Sequence, residues 1–294
     1  MSMLRNDESP MGASPVWRAG RFLLTLDRPL VMGIVNVTPD SFSDGGQHAT
    51  EAAACAHCDR LLAEGADLLD IGGESTRPGS AAPGEADELA RVVPVLRHAV
   101  TLGVPVSVDT SSPAVMTEAL ALGVDIVNDV RALRRPGALE TVASSPSAGV
   151  CLMHLRGEPA TMNSLARYDD VVAEVQQELQ GAFDRALAAG IAPERVVIDP
   201  GYGFAKTPEH NLQLLQGQHR LDVGGRPLLV GLSRKSTVGW ITGRPVTERL
   251  AGSLAAALAA VARGAAIVRV HDVAATVDAL KVWRAAEAGR WPLP

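Results

Sequence analysis

Aromatic residues are almost missing from this chain: four Phe, four Trp and two Tyr among 294 residues, 3% of the total. With 47% hydrophobic residues the core must nevertheless be large. It therefore has to be built from Val, Leu, Ile and Ala, the composition of parallel strands buried on both faces. Cysteine is equally sparse, and three thiols make no disulfide framework, which points to a reducing cytoplasm. Cys55-Ala-His-Cys58 has the C-x-x-C form, but it lies within an amphipathic run at 51–64, where positions i and i+3 share a helix face. No second pair completes a zinc site. Long apolar runs are lacking too. The longest, 254–262, is too short to cross a bilayer. Residues 1–15 hold Asp7, Glu8, Ser9, Pro10 and Gly12 rather than the apolar centre of a signal peptide. They read as a disordered leader ahead of one domain at 16–294, and a soluble protein is expected. A net charge of −6 argues against general nucleic-acid binding and against an anionic membrane surface. Lysine is the last scarcity. Only Lys206, Lys235 and Lys281 stand among 27 basic residues, so a lysine at a strand end hints that an ammonium is needed there.

What the chain does have is a repeated punctuation. Eight short apolar runs each stop on a polar or charged residue: Asn36, Glu74, Asp109, Asn128, His154, Asp199, Lys235 and His271. Helix-like stretches separate them, near 50–65, 85–102, 113–122, 136–143, 169–189, 208–216, 247–263 and 273–288. Strands alternating with helices over this length predict an α/β fold, a single (β/α)8 TIM barrel, with the polar ends ringing one mouth. A short N-terminal hairpin at 17–27 is expected to plug the other end. Thr50 and Gly65 look like the caps of the first helix. The connections at 37–49, 73–84 and 155–168 are long and polar, as binding loops and lids are.

The strand ends suggest chemistry. Arg269 and His271 fall on one side of the last strand, and Asp272 is placed to cap the helix that follows. Barrels commonly bind phosphate at the last two strand ends, so this fork reads as a phosphate or diphosphate cradle. A salt bridge from Arg269 to a neighbouring carboxylate is the competing reading. Ser233-Arg234-Lys235-Ser236 resembles a second anion or carbonyl site, with a Schiff-base lysine as the rival for Lys235. Asp109, Asn128 and Asp199 end their strands behind Val- and Ile-rich runs, where an unpaired carboxylate is costly. They are expected to pair with Arg234 or Arg269, to ligate a metal, or to meet a flat ligand with several N–H donors, such as an aminopyrimidine.

The segments MGIVNVTPDSFSDGG (32–46), EGADLLDIGGESTRPG (64–79), SVDT (107–110), NDV (128–130), CLMH (151–154), DPGYGFAKTPEHN (199–211), SRKS (233–236) and RVHDV (269–273) resemble dihydropteroate synthases, in that family's order, over about 16–288. The resemblance implies a pterin-binding barrel that joins 4-aminobenzoate to (7,8-dihydropterin-6-yl)methyl diphosphate, with Mg²⁺ as the metal and a homodimer as the assembly. It implies a pterin site of Asp109, Asn128, Asp199, Lys235, Met153, Phe204 and Gly231. A diphosphate site of Asn36, Arg269 and His271 follows, with Asn36 on the metal. The 4-aminobenzoate site would comprise Thr76, Arg77, Pro78, Phe42 and Ser236. Asp109, Lys235, Arg269, His271 and the loop carboxylate Asp44 would carry the catalysis. A pterin-dependent methyltransferase barrel and a non-catalytic pterin-binding paralogue are the alternatives. The apolar faces of the last two helices, Leu250, Leu254, Leu258, Val277, Leu280 and Trp283, are candidate dimer contacts, with burial against the barrel accounting for part of that pattern.

Overall fold

The computed structural model describes residues 15–37, 46–74 and 84–291. Strands β1 (Val16–Ala19) and β2 (Phe22–Thr25) form an antiparallel hairpin. Eight parallel strands then close into a barrel in chain order: β3 (Leu30–Asn36), β4 (Leu68–Gly72), β5 (Val106–Asp109), β6 (Ile126–Asp129), β7 (Gly149–Met153), β8 (Val196–Asp199), β9 (Leu228–Val230) and β10 (Ala265–Val270). Between and after them run α1 (Gly46–Ala63), α2 (Glu85–Ala99), α3 (Pro113–Ala121), α4 (Ala138–Ser144), α5 (Val171–Ala188), α6 (Pro208–Gly217), α7 (Ser236–Thr242), α8 (Leu250–Val261) and α9 (Val273–Ala288).

The period of two along each strand sorts the apolar residues into two cores. Leu30, Met32, Leu68, Ile126, Cys151, Val197, Leu229 and Ile267 point inward and fill the lower barrel together with Trp17 of the hairpin. Their neighbours Val31, Leu69, Val106, Val127, Val150, Val196, Leu228 and Val268 point outward against the helices. Trp17 is fully buried and donates its indole N–H to the Arg195 carbonyl at 2.9 Å. The hairpin thus closes the lower end, as its sequence suggests. Gly20 makes its turn at φ +58°, and a Cβ there would lie 2.5 Å from the Asp125 carboxylate. That carboxylate receives Arg21 at 2.9 Å.

The helices depart from expectation in informative ways. Thr50 does not cap α1; the helix begins four residues earlier at Gly46 and Thr50 lies inside it, because a Thr that suits an N-cap is also tolerated in an Ala-rich helix interior. Gly65 does end it: at φ +97° it follows Glu64, and Ala66 N–H reaches back to the Leu61 carbonyl at 3.0 Å. Both cysteines of the C-x-x-C lie on α1, and burial pushes the Cys58 thiol up to about 12, so it carries no thiolate for redox work or metal binding. The run after β9 holds two helices, not one. Gly243, at φ +70°, ends α7 before α8 starts.

Candidate active site

Above the inner apolar layer the same phase brings polar side chains into the barrel mouth. On β4 to β6, β8 and β10 the next inward positions are Asp70, Ser107, Asp109, Asn128, Asp199 and Arg269. In register, Asn36 lies beside Gly72, Gly72 beside Asp109, and Asp109 beside Asn128. Met153 lies beside Asp199.

Arg269 is the hub. Its Nε bonds Asp70 at 2.5 Å and its Nη2 bonds Asp109 at 2.7 Å. The carboxylate pairing weighed for Arg269 is therefore present. Asp70 is completely buried and also accepts from the Asn128 amide at 3.2 Å. The sequence reading missed Asp70, because it interrupts the apolar run LLDIG instead of ending it. Its signal is phase: it follows Leu68 by two, so it must face inward too. Asp70 Oδ1 and Ser107 Oγ are buried with no hydrogen-bond partner among the described residues. Two such atoms in one mouth favour a ligand that brings polar groups of its own.

On the opposite wall, Asp199 is 5% exposed and accepts the Gly201 N–H at 2.7 Å. Lys235 donates to the Tyr202 carbonyl, and its Nζ sits 4.6 Å from the centre of the Phe204 ring. Gly231 completes this wall: a Cβ there would lie 3.9 Å from Arg269 Cβ and 4.0 Å from Lys235 Nζ. Its missing side chain thus leaves room between the Arg269 stem and the Lys235 ammonium. Met153 and Phe204 belong to one small apolar cluster with Val130, Leu155 and Ala205. Charged floor, apolar wall and opposed cations and carboxylates together suit a flat heterocycle with several N–H groups.

Burial tunes the ionisation. It pushes the Asp109 carboxyl up to about 7, against the pull of Arg269 and with the push of the Asp70 charge. It raises Asp199 as well, with Lys235 opposing, and it lowers the Lys235 ammonium to about 8 against Asp199.

Several predicted partners sit elsewhere. Arg234 adopts φ +58° and bonds Asp272 at 3.0 Å, so SRKS offers one inward cation rather than two. Asp272 occupies the position before α9 but makes no side-chain cap, because Arg234 holds its carboxylate. Glu74 does not end β4 and pairs with Arg131 at 3.0 Å. His154 falls one residue beyond the inward phase of β7 and turns toward Glu178 of α5, at 3.1 Å. His271 follows the end of β10, where its Nδ1 lies 3.0 Å from the Ser233 hydroxyl, a neighbour that the sequence reading did not assign. Ser236 is exposed at the first turn of α7. Phe42, Asp44, Thr76, Arg77 and Pro78 lie outside the described residues.

This mouth has known counterparts. The family of pterin binding enzymes matches residues 32–271. A dihydropteroate synthase of Neisseria meningitidis serogroup B is 54% identical over 279 residues, 93% of this chain and 98% of that protein. The chain belongs to the dihydropteroate synthase family. Among solved structures of that family, the Xanthomonas albilineans enzyme with 4-aminobenzoic acid superposes with a TM-score of 0.88 at 53% identity, over 96% of this chain and 100% of the other. The Burkholderia cenocepacia dihydropteroate synthase complexed with 7,8-dihydropteroate gives 0.86 at 48% identity, over 94% and 98%. The sequence resemblance thus extends to the three-dimensional fold, and the barrel is that of a transferase family. Among the described residues no helix is long and apolar enough to cross a membrane.

Proposed function

We propose that this barrel condenses (7,8-dihydropterin-6-yl)methyl diphosphate with 4-aminobenzoate to give 7,8-dihydropteroate and diphosphate. The observation that carries the reading is the opposed walls of one mouth: the Arg269–Asp70–Asp109–Asn128 network facing the Asp199–Lys235–Phe204 wall. The relatives bound to 4-aminobenzoic acid and 7,8-dihydropteroate support it.

In this reading Asp199 accepts the two adjacent N–H groups of the pterin's aminopyrimidine edge, a bidentate match for a carboxylate. Asn128 and Asp109 take the remaining ring nitrogens. Met153, Phe204 and Gly231 line the ring faces. Asn36, Arg269 and His271 hold the diphosphate. A metal fits only as a companion of the substrate: no group of three or more His, Cys, Asp or Glu among the described residues is arranged to hold one, and Asn36 brings a single amide oxygen. Mg²⁺, which keeps its waters and uses substrate phosphates, suits that donor set and would supply charge neutralisation at the leaving diphosphate. The positive charge left on the methylene spreads into the ring, assisted by Asp109 and by Asp44, and the weakly basic arylamine needs no dedicated base. Thr76, Arg77, Pro78, Phe42 and Ser236 form the aminobenzoate side. Diphosphate release from the pure protein with pterin diphosphate and Mg²⁺, with and without 4-aminobenzoate, tests the function. Release matched by dihydropteroate supports it. Tight pterin binding without turnover would identify a binding paralogue instead.

A pH profile follows from the two shifted groups. Asp109 must be ionised to accept a ring N–H, so kcat/KM should rise with pH through about 7. Lys235 must keep its proton to balance Asp199, so the rate should fall again beyond about 8. A profile that is flat across both values would remove these two groups from the rate.

We also infer a homodimer formed through α7, α8 and the turn between them. Trp240, Ile241, Val246 and Leu250 are exposed there, 64% in the case of Ile241, and exposed apolar groups clustered in this way mark contact surfaces. The expected contacts need revision, however. Leu280 is buried, and Val277, Trp283 and Leu258 pack against this chain's own core. Sedimentation at micromolar concentration should give a dimer that Ile241→Asp shifts to monomer. An unchanged sedimentation coefficient in that variant would place the contact elsewhere.

A further inference from the structure

The loop that leaves β8 is held by two cations. Lys235 takes the Tyr202 carbonyl. The second cation, Lys206, is 5% exposed and donates to the carbonyls of Gly201 at 3.0 Å and Phe204 at 3.1 Å. Its third neighbour is Nδ1 of His154, at 2.9 Å. Burial lowers the Lys206 amine to about 7; while it keeps its proton it can only donate, so Nδ1 accepts and the ring proton is on Nε2. From there it is donated to Glu178, 3.1 Å away on α5. The imidazole is neutral, since burial, with help from Lys206, lowers it to about 4.

Two groups that the loop presents to the mouth are tied to these bonds. The Gly201 N–H that fixes the Asp199 carboxylate belongs to the same residue whose carbonyl Lys206 holds. The Phe204 carbonyl held by Lys206 belongs to the residue whose ring faces Lys235. The fit leaves no slack: a Cβ on Gly201 would lie 2.0 Å from the His154 carbonyl. A buried ammonium is a costly way to satisfy two carbonyls, so its persistence calls for a reason beyond closing a loop. Asp199, whose ionised form it favours, supplies one.

We propose that Lys206, oriented by His154 and Glu178, is a positioning residue of the pterin pocket that sets the Asp199 carboxylate and the Phe204 ring through the Gly201 and Phe204 carbonyls. The proposal rests on the pterin reading of the site. Calorimetric titration of the wild-type protein with 6-hydroxymethyl-7,8-dihydropterin therefore comes first, because absent binding would sink that reading and this proposal with it. Given binding, Lys206→Met should weaken pterin affinity and raise the KM for the pterin diphosphate about tenfold or more, the scale of one lost charge-assisted hydrogen bond. The KM for 4-aminobenzoate should stay within about twofold, and kcat should fall less than the pterin KM rises. A purely structural residue would disturb both substrates alike and lower the melting temperature. That outcome, or unchanged pterin affinity, overturns the proposal. Should Lys206→Met fail to fold, His154 decides. His154→Asn keeps an acceptor oxygen near the place of Nδ1 and should bind pterin within about threefold of wild type. His154→Leu removes the acceptor and should bind it markedly more weakly. Equal affinities in the two His154 variants would refute the role.

Discussion

Asp199→Asn should lose about 10³-fold in pterin affinity while the barrel stays folded. An amide at this position offers one acceptor where the pterin edge needs two, and it turns an N–H toward an N–H. It also removes the charge that opposes the half-buried Lys235. A hydrogen bond to a charged group contributes about 1.5–3 kcal/mol and a buried donor left unpaired costs about 1–3 kcal/mol more; about 4 kcal/mol corresponds to three decades. The fold should tolerate the change for a local reason. The backbone bond from Gly201 to Asp199 can be accepted by an amide oxygen as well as by a carboxylate, and burial already works against the ionised Asp199. Calorimetry with a pterin and a thermal melt read the two effects separately. Full activity in this variant would refute the assigned role, and a collapsed melting transition would make Asp199 a folding residue instead.

Arg269→Met should have the opposite balance, losing activity and stability together. The methionine side chain fills similar space but leaves Asp70, which is completely buried, and Asp109 facing each other without a cation. Breaking a buried pair by removing one partner costs about 3–5 kcal/mol, which urea unfolding would register as a lower midpoint with an unchanged slope. The sign with pH is fixed by the carboxylates. Burial holds Asp109 up near 7 even with the guanidinium in place, so its negative charge becomes progressively harder to bury as pH rises through that value. The deficit relative to wild type should therefore be largest above neutrality and shrink as the pH is lowered and Asp109 takes up a proton. A deficit that does not vary with pH would mean that the variant suffers from packing alone.

These two residues also mark where the sequence could and could not be read. The barrel was legible because its strands advertise themselves twice, by Val- and Ile-rich runs and by the polar residue that ends them. Asp109, Asn128 and Asp199 were found in that way. Asp70 was not, since an acid inside an apolar run looks like an interruption until the inward phase is fixed by Leu68, and only the closed barrel fixes it. His154 erred in the other direction: it ends an apolar run, yet stands one residue past the phase and faces the helices. Arg234 looked like a twin of Lys235, but its left-handed backbone turns it to Asp272. No one-dimensional pattern reveals that turn, because Arg is an unusual residue at positive φ. Lys206 lies in the motif after β8 without a role legible there, for its partners are two carbonyls of its own loop and a histidine that follows β7.

The register of the barrel has a consequence for how such a mouth can drift over generations. The pocket residues come from different strands and from the loops that follow them, so the effects of those that share no partner should add. Asp70, Asn128, Asp109 and Arg269 are not such residues, being tied by direct bonds across four strands. A first change within that quartet strands a buried charge or donor, and its harm can be repaired only by a second change among the same four. Descendants of this chain should therefore move through the quartet only in pairs.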